Sequence, residues 1–259
     1  MVYLLSKIWA GIIIWILWKI IFGIFYKRIS KETSVLFLSI YIIGVFVGLI
    51  SFPDSLGLSI DNYYTYAYAI RFLPTYWHSI FTGALYAGSM MVIPHPFSIF
   101  LFQWMAFNLI AAYIYSGINK FWTGRKYKFC VLLLYCLPET YYTVFDPYRS
   151  HYYTIFCVFY FSYLFFAIKE KEKHNNLQSM VLIAILSSFI MVWRSEGLFI
   201  GVGGFLCALI FIFELNIKRV FFIIITFTVS FLCFHKIQGI GSEKYYGQDY
   251  MFINTLTPL

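Results

Sequence analysis

The chain has 11 acids, and four of them, Asp54, Asp61, Asp146 and Glu196, lie with arginines and histidines in three stretches. The first runs through "FPDS" (52–55), "IDN" (60–62), Arg71, "YWHS" (76–79) and "PHP" (94–96). The second is "VFDPYRSHYY" (144–153), a tight turn holding Asp146, Arg149 and His151. The third is "WRSEG" (193–197), where Arg194 and Glu196 sit close in sequence. A carboxylate can take a proton from a hydroxyl or ligate a divalent cation. The planar fork of arginine binds phosphate oxygens in pairs. Carboxylates and histidine are adequate metal ligands, but no local spacing demands a metal, so Mg or Mn at Asp61 and Asp146 is an open alternative.

Each of these residues also has a plain structural reading. Asp61 precedes an apparent helix, "NYYTYAYAIRFL", and would cap it. Asp54 and Asp146 lie beside prolines, as turn residues do. Arg194 can snorkel or pair with Glu196. Gln103 can hydrogen-bond a neighbouring helix, and Gly197 with Gly201 forms a small-residue spacing suited to close helix packing.

The elements that must position them are apolar helices. Of 259 residues, 61% are hydrophobic and 12% charged, against about 25% charged in soluble domains. Apolar runs recur near 8–26, 33–51, 97–118, 129–145, 152–168, 177–193, 197–213 and 220–235. At about 17–22 residues each they suit helices crossing a bilayer core of about 30 Å, and they are too continuous for barrel strands. The sequence predicts an all-α polytopic transmembrane protein with about eight spans, as one transmembrane domain over 1–259, with no room for a sizeable soluble domain. The first run has no small-residue cleavage site after it and reads as a retained helix or signal anchor. The five cysteines lie in apolar runs without CxxC spacing and read as packing residues.

Basic residues alternate between the loops. Lys27, Arg28 and Lys31, then Lys120, Arg125, Lys126 and Lys128, then Lys169, Lys171 and Lys173, then Lys218 and Arg219 fall on one side, which is cytoplasmic by the positive-inside rule. The net charge of +8 is thereby explained by orientation, without nucleic acid. "SIFTGALYAGSMMVI" (79–93) is too short to span, about 22 Å as a helix, and reads as interfacial or re-entrant. Residues 52–96 then form one long external loop. Its tyrosines suit the headgroup layer. Asp54, Asp61, Asp146 and Glu196 all map to the external face, where titratable groups near a membrane are functional candidates.

In their order and sidedness these residues resemble the GT-C superfamily of integral-membrane glycosyltransferases, over about residues 33–235. The closest likeness is to bacterial members with an acidic first external loop, a following histidine, a glutamine in the next helix and an acid in the second external loop. Asp61 matches the loop acid, His78 the histidine, Gln103 the glutamine and Asp146 the second acid. Arg194 and Gly197 match an Arg-x-x-Gly at the outer end of a helix. Departures are Asn62 where Ser is usual, Ser79 where Pro follows the histidine, and Phe145 where Lys precedes the second acid. Members continue with further spans, often into an external domain, whereas this chain stops at "INTLTPL", as a minimal or truncated version would.

The resemblance implies a polyprenyl-phosphate-linked sugar as donor and a glycan, lipid or protein acceptor, at the external face of a bacterial inner membrane. This agrees with the absence of a glycine-rich phosphate loop. Asp61 would be the base, and Asp146 would orient the acceptor. Arg194 would hold the donor phosphate, with Arg71 and Arg149 behind it. His78, Gln103, Glu196 and Asp54 would support the substrates. The alternatives are a polymerase of lipid-linked repeat units and, less favoured, a transporter or flippase. The last predicts paired repeats with polar residues at mid-membrane, and no internal repeat is visible.

Overall fold

A computed structural model describes residues 29–51, 79–121, 125–137, 150–213 and 216–240, with Tyr63, Tyr66, Ala67, Ile70 and Thr140 as short islands between them. The described residues are helical, with no strand among them. In chain order the helices are α1 (Lys31–Ser51), α2 (Ile80–Val92), α3 (Phe97–Phe121), α4 (Arg125–Leu133), α5 (His151–Lys169), α6 (Lys171–His174), α7 (Leu177–Trp193), α8 (Gly197–Phe211) and α9 (Ile217–Ile240). Four of them, α1, α3, α5 and α9, are long and apolar enough to cross a membrane. The shorter apolar helices α2, α7 and α8 have 13, 17 and 15 residues.

Most expected runs therefore return as helices, with α7 at the bounds the sequence predicts and the short 79–93 run as α2. The island residues Tyr63, Tyr66, Ala67 and Ile70 are helical, in the stretch where a helix is expected after Asp61. The first run, 8–26, lies outside the described residues. The 129–145 run differs. Its helix α4 begins earlier, tightens to a 3-10 turn over Leu134–Cys136 and gives way at Leu137 to extended backbone (φ −82°, ψ 127°). Leu137 precedes Pro138, and the proline ring disfavours the helical region for the residue before it.

The described residues group into two compact units, one drawn from Met1–Ile70 and Leu85–Ile155, the other from Arg71–Ala84 and Phe156–Leu259. In the first, α1 starts at Ser30, whose Oγ accepts from the Thr33 amide at 3.3 Å, an N-cap bond. Phe37 of α1 packs with Ala111, Ala112 and Tyr115 of α3 and Val131 of α4. Higher up, Trp104 Nε1 donates to the Tyr41 carbonyl at 3.0 Å. The indole lies over Gly44, and a Cβ there would collide with the ring. Asn108 ties this seam to Tyr135, accepting from its hydroxyl at 2.9 Å while donating to the Trp104 carbonyl at 2.8 Å. Such bonds matter where the surroundings offer no water to a spare donor.

The second unit is also built on small residues. A Cβ on Gly201 would meet the Ser187 carbonyl and Met191, and one on Gly204 would meet the Tyr160 ring. The Tyr160 hydroxyl and Ser187 Oγ share a hydrogen bond of 2.5 Å. Ser188 Oγ donates to the Phe227 carbonyl at 2.9 Å, joining α7 to α9, and Phe205 stacks on Phe227 at 4.4 Å. Gly201 thus serves packing, as its spacing from Gly197 suggests. The outward faces of α1 and α9 remain apolar and exposed, from Ile43, Phe46 and Ile50 to Phe221, Val229 and Leu232, as lipid-facing surfaces are.

Gly204→Val and Gly201→Leu should each lower stability by about 1–3 kcal/mol, the usual effect of overpacking. Gly203→Ala should be tolerated, since nothing lies within 4 Å of the added carbon. Thermal unfolding of the three variants in detergent, followed by helix content, distinguishes them.

Candidate functional site

Three of the residues given site roles, Gln103, Arg194 and Glu196, are described. Gln103 is fully enclosed in α3, within the first unit. Arg194 and Glu196 lie in the second, in the turn between α7 and α8. Asp54, Asp61, Arg71, His78, Asp146 and Arg149 lie outside the described residues. So do both carboxylates of the proposed metal pair. Among the described residues, no three His, Cys, Asp or Glu side chains cluster as a metal site would need.

The turn is built by its own backbone. The helix ends because Arg194 turns extended (φ −144°, ψ 158°). Its carbonyl then accepts from the Gly197 amide at 2.9 Å, and that of Ser195 from Leu198 at 3.3 Å, so α8 starts at once. The reversal swings Glu196 back onto Arg194. Arg194 Nε donates to Glu196 Oε2 at 3.1 Å and Nη2 to Oε1 at 3.3 Å. Ser195 Oγ donates to the same Oε2 at 3.2 Å. Both nitrogens of the fork therefore face a carboxylate, the geometry with which arginine also meets a phosphate. The Glu196 carboxyl is pulled down to about 2, by the Arg194 hydrogen bond first, then its own backbone amide and the guanidinium charge. Its side chain is 61% exposed, so the pair is a solvent-facing one of small stabilising value.

Segment 79–82, at the start of α2, is fastened beside this turn. Trp193, the residue before Arg194, donates from Nε1 to Thr82 Oγ1 at 3.0 Å, and this bond is buried. Gln238, near the end of α9, accepts through Oε1 from Ser79 Oγ at 3.0 Å and from the Ile80 amide at 3.2 Å. Ser79 Oγ in turn accepts from Phe81 N at 3.3 Å. The opening amides of α2, which no helical carbonyl can satisfy, are thus met by one local and one distant side chain. Phe81 lies among Phe189, Trp193 and Phe234, with ring centroids 4.8, 6.2 and 5.9 Å away. Segment 79–82 and the Arg194 turn are accordingly one packed structure.

Thr82, Trp193 and Gln238 were not among the residues that chemistry singled out. Gln238 carried a signal: an amide near the end of an otherwise apolar helix needs a partner. Nothing in the sequence names that partner. His95, in the "PHP" of the first stretch, accepts from the Phe97 amide through Nδ1 at 3.1 Å and so helps start α3.

The chain matches no family model, no curated protein and no solved structure. The described geometry offers a guanidinium fork held by a neighbouring acid, on a turn packed against the start of α2.

Gln238→Ala should lower stability by about 1–3 kcal/mol, because two partly buried donors lose their acceptor. Gln238→Glu keeps an acceptor oxygen and should recover much of the loss in thermal unfolding. The Glu196 carboxyl lies below its ordinary 4.5 in the folded chain. Whatever its pairing contributes is therefore complete above that pH and is lost as pH falls toward about 2. Anion binding at Arg194 should accordingly be insensitive to pH between about 5 and 8 but weakened by added salt. A titration of binding against pH and ionic strength checks both.

Proposed function

We propose that this chain is a membrane glycosyltransferase that moves a sugar from a polyprenyl-phosphate donor to a cell-envelope glycan, lipid or protein acceptor. We place the reaction at the external face of a bacterial inner membrane. The observation that carries the reading is the buried Trp193–Thr82 bond. It fastens the start of α2 to the turn that bears Arg194, as a shared site between those segments would require.

In this reading the donor phosphate takes the place of the Glu196 carboxylate on the Arg194 fork. Arg71 and Arg149 add positive charge. Asp61 takes the proton from the acceptor hydroxyl as its oxygen bonds to the anomeric carbon. The bond from that carbon to the phosphate oxygen breaks, and polyprenyl phosphate leaves with the electron pair. Arg194 offsets the charge that develops on it. Asp146 orients the acceptor, while His78 and Asp54 support the two substrates. If Asp61 and Asp146 share a divalent cation, it would add positive charge at the phosphate.

Purified chain, given a polyprenyl-phosphate sugar and an acceptor, should transfer one sugar. Asp61→Asn should reduce the rate by about 10²–10⁴, and Arg194→Ala by about 10²–10³, with melting unchanged. Undiminished transfer by Asp61→Asn removes that residue from the mechanism. A ladder of products in place of a single addition points instead to a polymerase of lipid-linked repeat units.

A further inference from the structure

The end of the second unit that carries the lysines has a feature that orientation does not require. Two basic segments far apart in sequence are brought together there. One comprises Lys169, Lys171 and Lys173, at the end of α5 and in α6. The other is Lys218 and Arg219, in the first turn of α9. They are joined by Arg219 Nη1, which donates to Asn175 Oδ1 at 3.3 Å. The intervening chain is ordered around His174. Its Nδ1 lies 3.2 Å from Ser179 Oγ and 3.5 Å from the Tyr163 hydroxyl, and its ring sits edge-on to Tyr163. Asn176 caps α7 by accepting from the Ser179 amide at 2.9 Å.

Among the described residues, little acidic charge opposes these cations. All five basic side chains are exposed. The two acids among the described residues of this end are Glu170 and Glu172. Glu170 is directed to His174, with Oε2 3.8 Å from Nε2. No described acid forms an ion pair with any of the four lysines. Immediately beside the charges are large exposed apolar side chains: Ile217 at 87%, Phe221 at 66% and Leu177 at 58%. Ile217 and Phe221 are four residues apart and share one face of α9. Positive charge at a helix end, with apolar surface in the adjoining turn, matches the two parts of an anionic phospholipid.

We propose that this end of the second unit is a binding site for an anionic phospholipid. Lys171, Lys173, Lys218 and Arg219 take the phosphate headgroup, while Ile217, Phe221 and Leu177 take the upper acyl chains. The site is independent of the transfer chemistry proposed above. Charge complementarity selects the ligand. A zwitterionic lipid returns a cation to a patch that is already positive, whereas a phosphatidylglycerol-like headgroup brings net negative charge.

The full chain is reconstituted in vesicles of phosphatidylcholine with increasing phosphatidylglycerol. Retained lipid is then counted by native mass spectrometry, and melting is followed in parallel. Wild type should retain phosphatidylglycerol over phosphatidylcholine, less so at high salt. Lys218→Gln alone should weaken retention about fivefold, the effect of about one kcal/mol per basic residue near an anionic surface. Lys171→Gln/Lys173→Gln/Lys218→Gln/Arg219→Gln should abolish the preference. Lys120→Gln, in the first unit, should leave it intact. Equal retention of the two lipids by wild type, or a preference unchanged in the quadruple variant, overturns the proposal. So does equal stabilisation by the same concentration of inorganic phosphate, which would mean an anion site without lipid recognition. Because the single variant removes only one exposed charge, it reports binding even if the quadruple variant fails to fold.

Discussion

A helix that starts in apolar surroundings must find partners for its first amides, and α2 finds one of them 158 residues away. In water the unsatisfied amides of a helix start are solvated. In lipid each one left bare costs several kcal/mol. Gln238 meets this need and in doing so fixes where α2 begins relative to α9. Trp193 then fixes α2 relative to the end of α7 through Thr82. Two side-chain bonds at one end of α2 thus hold three helices, and the Arg194 turn inherits its position from them. The aromatic packing of Phe81 with Phe189 and Phe234 excludes competing partners from those bonds, which strengthens them.

Elsewhere the interior uses the opposite device, which is to remove side chains. Between helices in lipid there is little hydrophobic gain from burial, so association rests on close packing and on a few polar bonds. Gly44 admits the Trp104 ring, Gly204 admits Tyr160, and Gly201 lets α8 approach the Ser187 carbonyl. In the second unit the close approach and the polar bond coincide. The Tyr160 hydroxyl that occupies the space above Gly204 is the group bonded to Ser187. Tight approach makes the bond reachable, and the bond makes tight approach specific in register.

Much of this was legible in the sequence, for reasons that differ by element. The helices α1, α3, α5 and α9 follow from hydropathy and length alone, because a bilayer sets the length, and α7 follows from its apolar run. Helix α2 was legible as a short apolar run, and Gly201 as a packing residue through its spacing from Gly197. The 129–145 run was legible as helix up to Cys136, and of the residues after Leu137 Thr140 alone is described. Hydropathy continues through Leu137, but Pro138 decides the backbone before it, and local sterics outweigh composition there. The pairing of Arg194 with Glu196 was visible as one of two readings, since a short turn leaves an arginine few other acids to reach. The bonds of Trp193 and Gln238 were not legible. Each depends on which helices become neighbours, and apolar helices carry little sequence record of their partners. Asp61 and Asp146 lie outside the described residues, so the acidic half of the proposed site rests on sequence.

The two kinds of basic residue in the second unit are held in different ways, and the difference bears on what each can do. Arg194 has its fork occupied by an acid two residues on, supplied by its own turn. A guanidinium kept in that state is pre-shaped for a second anion, because the geometry that satisfies a carboxylate also satisfies a phosphate. The exchange costs only the difference between two similar pairs, so it favours a ligand with more charge or more contacts. Among the described residues, the lysines at the other end of α7 have no such acid partner. Their compact, strongly hydrated charges suit a fluid layer of headgroups in which any one phosphate can be replaced by the next. A paired arginine suits the selection of one ligand, and unpaired lysines suit attraction to a surface. The same short helix, α7, separates the two: Asn176 caps its start beside the lysines, and Arg194 ends it where the backbone turns extended.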